Sequence, residues 1–439
     1  MRSLVEEARA IFAEALRRVD VQGAVRKRIG CDGDLLRLGA AIVPLAEIDR
    51  LVVIAIGKAA GPMYGAVEEA LRGVAGLTLE GIVVAPPLPL QPFAHAAFYE
   101  GAHPTPDERS LRAADATLKL LATVDGRTAV LFLVSGGASA MVEKPLDPLI
   151  SLVDAAAFHR ALVGSGLAIA QMNALRKHFS AVKGGRLALA AAAARMQSTL
   201  LVSDVPADRA DAIASGPSIP DGTTLEECRR LLATLDGVPQ SVRDFFASGS
   251  CAETPKPGDA VFAHARWQVV LSSDDLAEAA AEAATTAGFH IEIDNTCDEW
   301  EYREAARYLL DRSAALARRL PRTCLISVGE VGVKLSDATG EGGRNQQFAL
   351  WAAAELAQQG QRATVLSAGS DGIDGSSVAA GAVCDETSVA RAAALGMSVE
   401  HTLERFDCAP LLRAIGDDIV TGPTGNNVRD LRMILTGER

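Results

Sequence analysis

Aromatic residues are scarce in this chain, 4% of 439 residues, while hydrophobic residues reach 49%. Its interior must therefore be aliphatic and alanine-rich, and a composition this apolar excludes a disordered chain. Cysteine pairs are lacking: the seven cysteines lie far apart with no CxxC. Neither a zinc site nor a disulfide framework is indicated, and a reducing cytoplasm fits best. Basic charge is in deficit, with 43 Lys and Arg against 55 Asp and Glu and a net charge of −12. Without a Lys- or Arg-rich block, a general nucleic-acid or anionic-membrane binder is excluded, and an anionic substrate needs locally placed cations. No apolar run reaches the ~18 residues of a membrane span. The opening MRSLVEEARAIFAEALRRVD mixes charge with apolar residues at helical spacing, so it reads as an amphipathic helix rather than a signal peptide.

What is present is a recurrence of short aliphatic runs that end in glycine or polar residues: LVVIAIGKAAG (51–61), TAVLFLVSGGASA (128–140), STLLVSDVPAD (198–208), TCLISVGEVG (323–332) and ATVLSAGSDGIDG (363–375). Such runs, with helical patterns between several of them, predict buried strands in parallel α/β layers. Helices are expected at 105–123, 149–171, 183–195, 223–235, 275–288, 300–319 and 345–358. At this length two domains are expected. The Gly-, Pro-, Ser- and Asp-rich stretch 236–260 is the best boundary, giving domains 1–245 and 246–439. In parallel sheets ligands bind beyond the carboxyl ends of the strands, so the polar crests are where chemistry is expected.

Lys58 closes the first run and suits a phosphate or carboxylate, though a lysine snorkelling at a strand end is the plainer reading. Ser135, Gly136, Gly137 and Ser139 form a small-residue loop able to cradle an anion with backbone N–H groups, or simply a tight turn. Asp204, just past its strand, could accept a proton from a substrate hydroxyl or hold a metal. Asp208 and Asp211 read as caps of the following turn, and Asp371 and Asp374 as magnesium ligands or orienting groups. Arg176, Lys177, His178, Lys183 and Arg186 make the densest basic cluster, an anion pocket or a solvated helix face. In GEGGRNQQFAL (340–350) the glycines permit close approach to a helix start, where Arg344 offers a fork for an oxyanion. A surface turn capped by Asn345 is the alternative there. Cations for a polyphosphate together with carboxylates for Mg²⁺ and a base are the requirements of phosphoryl transfer. No GxGxxG follows a strand, which weighs against a nicotinamide-dependent dehydrogenase.

Taken in order, AIGKAAGPM, GAHPTPDERS, LVSGGASA, MNALRKHFSAVKGGRLA, LLVSDVPADRADAIASGPSIPD, GEVGVKL through GEGGRNQQFAL, SDGIDG with AAGAVCD, and TGPTGNNVRDL resemble the glycerate 2-kinase family (MOFRL-type), whose members were often labelled hydroxypyruvate reductase. The resemblance covers nearly the whole chain. It implies ATP- and Mg²⁺-dependent phosphorylation of D-glycerate at its 2-hydroxyl. It also implies a large Rossmann-like N-terminal domain, a smaller α/β domain and an active site in the cleft between them. Carried over by position, Lys58, Asp204 and Arg344 become the catalytic trio, and Ser135, Gly136, Gly137, Ser139, Glu330, Asn345, Asp371 and Asn426 become contacts for nucleotide, metal or substrate. Asp204 and Asp371 are the expected metal ligands. The alternative is an NAD(P)H-dependent hydroxypyruvate reductase. Two positions depart from the family pattern: Gln347 stands where an acid commonly follows GRNQ, and Val378 where an acid often precedes AAGA.

Overall fold

The protein is described from a computed structural model, which covers residues 3–87, 93–103, 105–205, 210–334 and 340–437. The chain divides into two compact units, Val21–Val270 and Met1–Asp20 together with Leu271–Arg439. This division differs from the boundary expected at 245/246. The stretch 236–260 contains the helix Gln240–Ala247, which buries Val242, Phe245 and Phe246 in one core with Phe158 and Phe179. Its turn residues flank a packed helix of the first unit.

In the first unit a small antiparallel sheet of β1 (Ile29–Asp32), β2 (Leu35–Leu38) and β3 (Ala41–Pro44) precedes the main sheet. The main sheet comprises β4 (Arg50–Ile56), β5 (Thr78–Ala85), β6 (Ala96–Glu100), β7 (Thr128–Val134), β8 (Met196–Val202) and β9 (Ala265–Leu271), in the order β6-β5-β4-β7-β8-β9. From β6 to β8 every pairing is parallel. Parallel strands bury both faces, so they need continuous apolar runs, and β7 and β8 are buried at every position. The helix Glu108–Leu121 covers one face with Ala113, Ala114 and Leu121 against Val52, Ile54, Val130 and Phe132.

The second unit holds β10 (His290–Ile293), β11 (Thr323–Gly329), β12 (Thr364–Gly369), β13 (Gly381–Asp385), β14 (Asp418–Ile419) and β15 (Asp430–Leu435), ordered β10-β11-β15-β12-β13-β14. Here the parallel expectation holds only for β10 and β11. β15 lies between β11 and β12, antiparallel to both. Its sequence DLRMIL hides this central place, because Arg432 interrupts the apolar run yet is only 1% exposed. The guanidinium is accommodated by the Gly329 carbonyl, 3.1 Å from Nη1, and by the Phe348 ring. The helix Leu4–Arg18, started by a Ser3 capping box, buries Ala8, Ile11, Phe12 and Ala15. It packs on the helix Ser273–Thr286, and Arg9 donates to the carbonyls of Gly416 and Asp418, which assigns the first residues to this unit.

The expected helices are found near their predicted places, with two differences: the helix expected at 183–195 is only Arg186–Ala190, and one expected helix is split. The pattern at 149–171 is two helices, Leu152–Val163 and Ile169–Phe179, broken at Gly164 and at Gly166, whose φ is +73°. Among the described residues no helix is long and apolar enough to cross a membrane. All seven cysteines are free.

Candidate functional site

Three neighbouring strands of the first unit deliver three of the expected groups to one end of the sheet. β4, β7 and β8 are parallel and in register, and Lys58, the 135–139 loop and Asp204 follow directly on their carboxyl ends. The first two crests are laced together. Lys58 N–H donates to Gly136 O at 2.9 Å, Ser135 N–H to Ile56 O at 3.0 Å, and Ala59 N–H to Ser135 Oγ at 3.0 Å. Gly57 permits this approach: its φ is +122°, and a Cβ there would lie 2.4 Å from Ser135 Oγ. Ser135 is thus a fully buried brace. A Cβ on Gly137, φ +80°, would lie 3.3 Å from both Lys58 Cγ and His103 Cδ2, so the lysine stem, an exposed histidine and the glycine loop meet at one spot. His103 sits in the quoted GAHPTPDERS but was not a candidate, because nothing in its spacing pairs it with Lys58. Asp204 is half-buried in a bend held by the Ser203 hydroxyl, which donates to Val205 O. Asp208 lies outside the described residues.

Ser139 opens a second line of contacts. Its Oγ is 3.2 Å from Ser215 Oγ, which donates to Asn173 Oδ1, also at 3.2 Å; Arg176 Nη1 reaches the same oxygen at 3.4 Å. Ala214 and Ser215 both adopt left-handed φ, +54° and +60°, a strain of about 1–3 kcal/mol per residue that only the surrounding structure can hold.

The remaining basic cluster is neither an open anion pocket nor a solvated face. Lys177, 2% exposed, binds Asp211 at 2.8 Å and Asp221 at 3.2 Å. Asp211 is therefore an ion-pair partner rather than a turn cap. Burial alone would raise the Asp221 carboxyl, but Lys177 and the Thr223 and Thr254 hydroxyls outweigh it and hold it low. His178 is buried between Ala174 O and Glu253, and Arg186 donates to the Ala252 carbonyl. Lys183 pairs with buried Glu143, which His159 also approaches. Burial pushes the Glu143 carboxyl up, yet Lys183 and His159 bring it down to about 2.

The second unit gathers another set at one end of its sheet. Asp430 opens β15 and is paired in register with Gly329 of β11 and Gly369 of β12, and Glu330 and Asp371 follow those two strands. Arg344, the first residue of the helix Arg344–Gln359, donates from Nε to Asp430 at 2.6 Å and from Nη1 to Glu330 at 2.7 Å. Burial pushes the Glu330 carboxyl up; Arg344 pulls against that rise and Asp430 adds to it. A Cβ on Gly369 would lie 3.2 Å from Asp371 Oδ1 and 3.4 Å from Asp430 Oδ1, so these two carboxylates flank the same glycine. Asp430 was not among the expected residues, since one aspartate before an apolar run has no distinguishing signal.

The glycines before Arg344 serve the protein's own carboxylates. A Cβ on Gly343 would fall 2.3 Å from Asp374 Oδ1, and one on Gly340 would fall 2.4 Å from Asp407 Oδ1. Asp374, 2% exposed, accepts the helix-start N–H groups of Asn345 and Gln346 at 3.1 and 2.8 Å. The positive end of the helix is thus satisfied internally. Asn345 is a buried strut between Asp374 and Ser367, not a cap. Asn426 donates to the Val19 carbonyl at 2.8 Å, and its buried Oδ1 has no hydrogen-bond partner among the described residues. Gln347 explains its departure from the family pattern. Its amide donates to Tyr302 and to Leu403 O while accepting from Cys408, a set that needs the donors a carboxylate lacks. Val378 is exposed.

Among the described residues no group of three or more His, Cys, Asp or Glu is arranged to hold a metal ion. Magnesium in phosphoryl-transfer sites is commonly held by one or two carboxylates plus phosphate oxygens and water, and the donor chemistry of Asp204 or Asp371 fits that need.

Known families match the chain over much of its length. A family model described as a domain of unknown function (DUF4147) matches residues 7–247, and the MOFRL family model matches residues 323–430. A D-glycerate 2-kinase of Thermotoga maritima is 35% identical over 89% of this chain and 91% of its own length. A protein of Agrobacterium vitis called a putative hydroxypyruvate reductase is 38% identical over 88% of this chain and 87% of its own. The crystal structure of a glycerate kinase from Thermotoga maritima superposes with a TM-score of 0.82 at 32% identity, covering 98% of this chain and 99% of that one. A second crystal structure, from Pyrococcus horikoshii, gives 0.79 at 30% identity over the whole of both chains. With a shared α/β fold and matches of this extent, the chain belongs to the glycerate 2-kinase family.

Proposed function

We propose that this protein is an ATP- and Mg²⁺-dependent glycerate 2-kinase of the cytoplasm, converting D-glycerate to 2-phosphoglycerate. One observation carries the reading furthest: a cation, a small-residue loop and a carboxylate follow three adjacent parallel strands at one sheet end. That is a minimal set for holding phosphate and activating an alcohol.

In this reading Asp204 accepts the proton of the 2-hydroxyl as its oxygen bonds to the γ-phosphorus and the bond to the β,γ-bridging oxygen breaks. Lys58 offsets charge on the phosphoryl oxygens, and Gly136 and Gly137 let the nucleotide approach the main chain. Asp204 or Asp371 would hold Mg²⁺, which when bound neutralises phosphate charge. Arg344 is assigned to the phosphate or the substrate carboxylate. Because Asp430 and Glu330 already grip its fork, Glu330 is the carboxylate it would release on binding an anion.

The test is a coupled assay with D-glycerate, ATP and Mg²⁺. Formation of ADP and a product that enolase accepts directly supports the 2-kinase. A product that needs a mutase first indicates 3-phosphoglycerate. Oxidation of NAD(P)H with hydroxypyruvate and no ADP would replace the kinase by the reductase.

A further inference from the structure

Arg176 stands apart from its basic neighbours in the first unit. Lys177, Lys183 and His178 beside it in sequence are buried against carboxylates. Buried Arg186 and Arg432 donate to main-chain carbonyls at 2.9 and 3.1 Å. Arg176 has no salt bridge among the described residues. Among the described residues its one hydrogen bond is the long 3.4 Å contact to Asn173, and its buried Nε has no partner. Glu143 is near enough to act on it electrostatically but is taken by Lys183 and His159. A partly buried guanidinium whose Nε is shut away from water is costly to keep unless something occupies its donors.

Its surroundings describe that occupant. Next to Arg176 are an amide and two hydroxyls, Asn173, Ser215 and Ser139, linked through contacts of 3.2 Å. The line ends at Ser139, two residues past the Gly137 that touches Lys58 and His103. A planar fork beside neutral hydrogen-bonding groups suits a carboxylate carried on a small hydroxylated skeleton.

We propose that Arg176 binds the carboxylate of the hydroxy-acid substrate and sets specificity for an acid over a neutral polyol, with Asn173, Ser215 and Ser139 facing its hydroxyls. This rests on the glycerate kinase reading. Wild-type turnover of D-glycerate is therefore measured first; its absence overturns that reading. With an active wild type, Arg176→Gln should raise KM for D-glycerate at least about 30-fold and leave KM for ATP within about 3-fold, the loss expected for a charge-assisted pair. The preference for D-glycerate over its neutral amide, glyceramide, should fall by at least about tenfold. The melting temperature should hold or rise, because the one hydrogen bond lost among the described residues is the long contact to Asn173. Arg176→Lys should restore part of the preference, and it carries the test alone should the glutamine variant not fold. An unchanged KM for D-glycerate, an effect confined to ATP, or loss of stability with selectivity intact would each overturn the proposal.

Discussion

Arg344 Nε and Asp430 Oδ2 are 2.6 Å apart, and the Asp430 side chain is only 4% exposed. The helix that carries the arginine is thereby fastened to the central strand of its sheet. Arg344→Ala would leave both Asp430 and Glu330 without their cation, and a loss of about 3 kcal/mol in denaturant unfolding is expected. Arg344→Lys keeps the charge but not the fork. Its turnover should fall by about 100-fold while its melting temperature drops by only a few degrees. Equal turnover in the lysine and wild-type proteins would remove Arg344 from the reaction.

Asp374 gives the second unit a pH dependence of known sign. Burial raises its pKa to about 7, above the usual carboxylate range, against the pull of the N–H groups of Gln346 and Asn345. The folded state therefore binds the proton more tightly than the unfolded chain, whose aspartates titrate near 4. Its contribution to stability is complete below about pH 4 and is lost as pH rises through about 7. Asp374→Asn removes that titration, so its stability relative to wild type should improve steadily from pH 5 to pH 8. A constant difference across that range would contradict the buried proton.

Gly57 tests the lacing of the first two crests. Gly57→Ala forces a Cβ within 2.9 Å of three Ser135 atoms at a φ of +122°. The loss should be about 2–4 kcal/mol, with Lys58 displaced and activity reduced in step. Gly65, inside the helix Ala60–Ala70 where a Cβ meets open space, is the control, and Gly65→Ala should stabilise by up to about 1 kcal/mol.

Lys183 and Glu143 are both at most 1% exposed. Lys183→Met alone strands a carboxylate and should cost about 3–5 kcal/mol, whereas Lys183→Met with Glu143→Gln should recover much of it. A double-mutant cycle in urea reads the coupling. Additive losses would mean that the pair does not act as one.

Phe12 separates the two ways of dividing the chain. If residues 3–18 stabilise the unit that begins again at Leu271, Phe12→Ala should cost about 3–4 kcal/mol. Proteolysis and hydrogen exchange should then show the loosening in 271–437, with Val21–Val270 unaffected.

Much of this was legible in the sequence because parallel strands announce themselves. Runs such as LVVIAI and TAVLFLV are buried on both faces, and ligand-facing residues must follow their carboxyl ends. The central antiparallel strand was hidden by Arg432, whose burial depends on a carbonyl and a ring distant in sequence. The basic cluster misled for the same reason. Helical spacing gives the face on which Lys177 lies, but nothing local shows that Asp211 and Asp221 meet it there, or that Glu143 meets Lys183. Glycine was read correctly as permission for close approach in 340–343. Which carboxylates approach could not be read, because Asp374 and Asp407 come from loops further along the chain.

The helix Leu4–Arg18 is made before the surface it covers. On the ribosome its apolar stripe must wait while 21–270 emerges, some tens of seconds at roughly 5–20 residues per second. A nascent-chain chaperone that shields Ile11 and Phe12 meanwhile would set the yield of native protein, and a stall before Leu271 would leave a finished first sheet trailing a sticky, unmated helix.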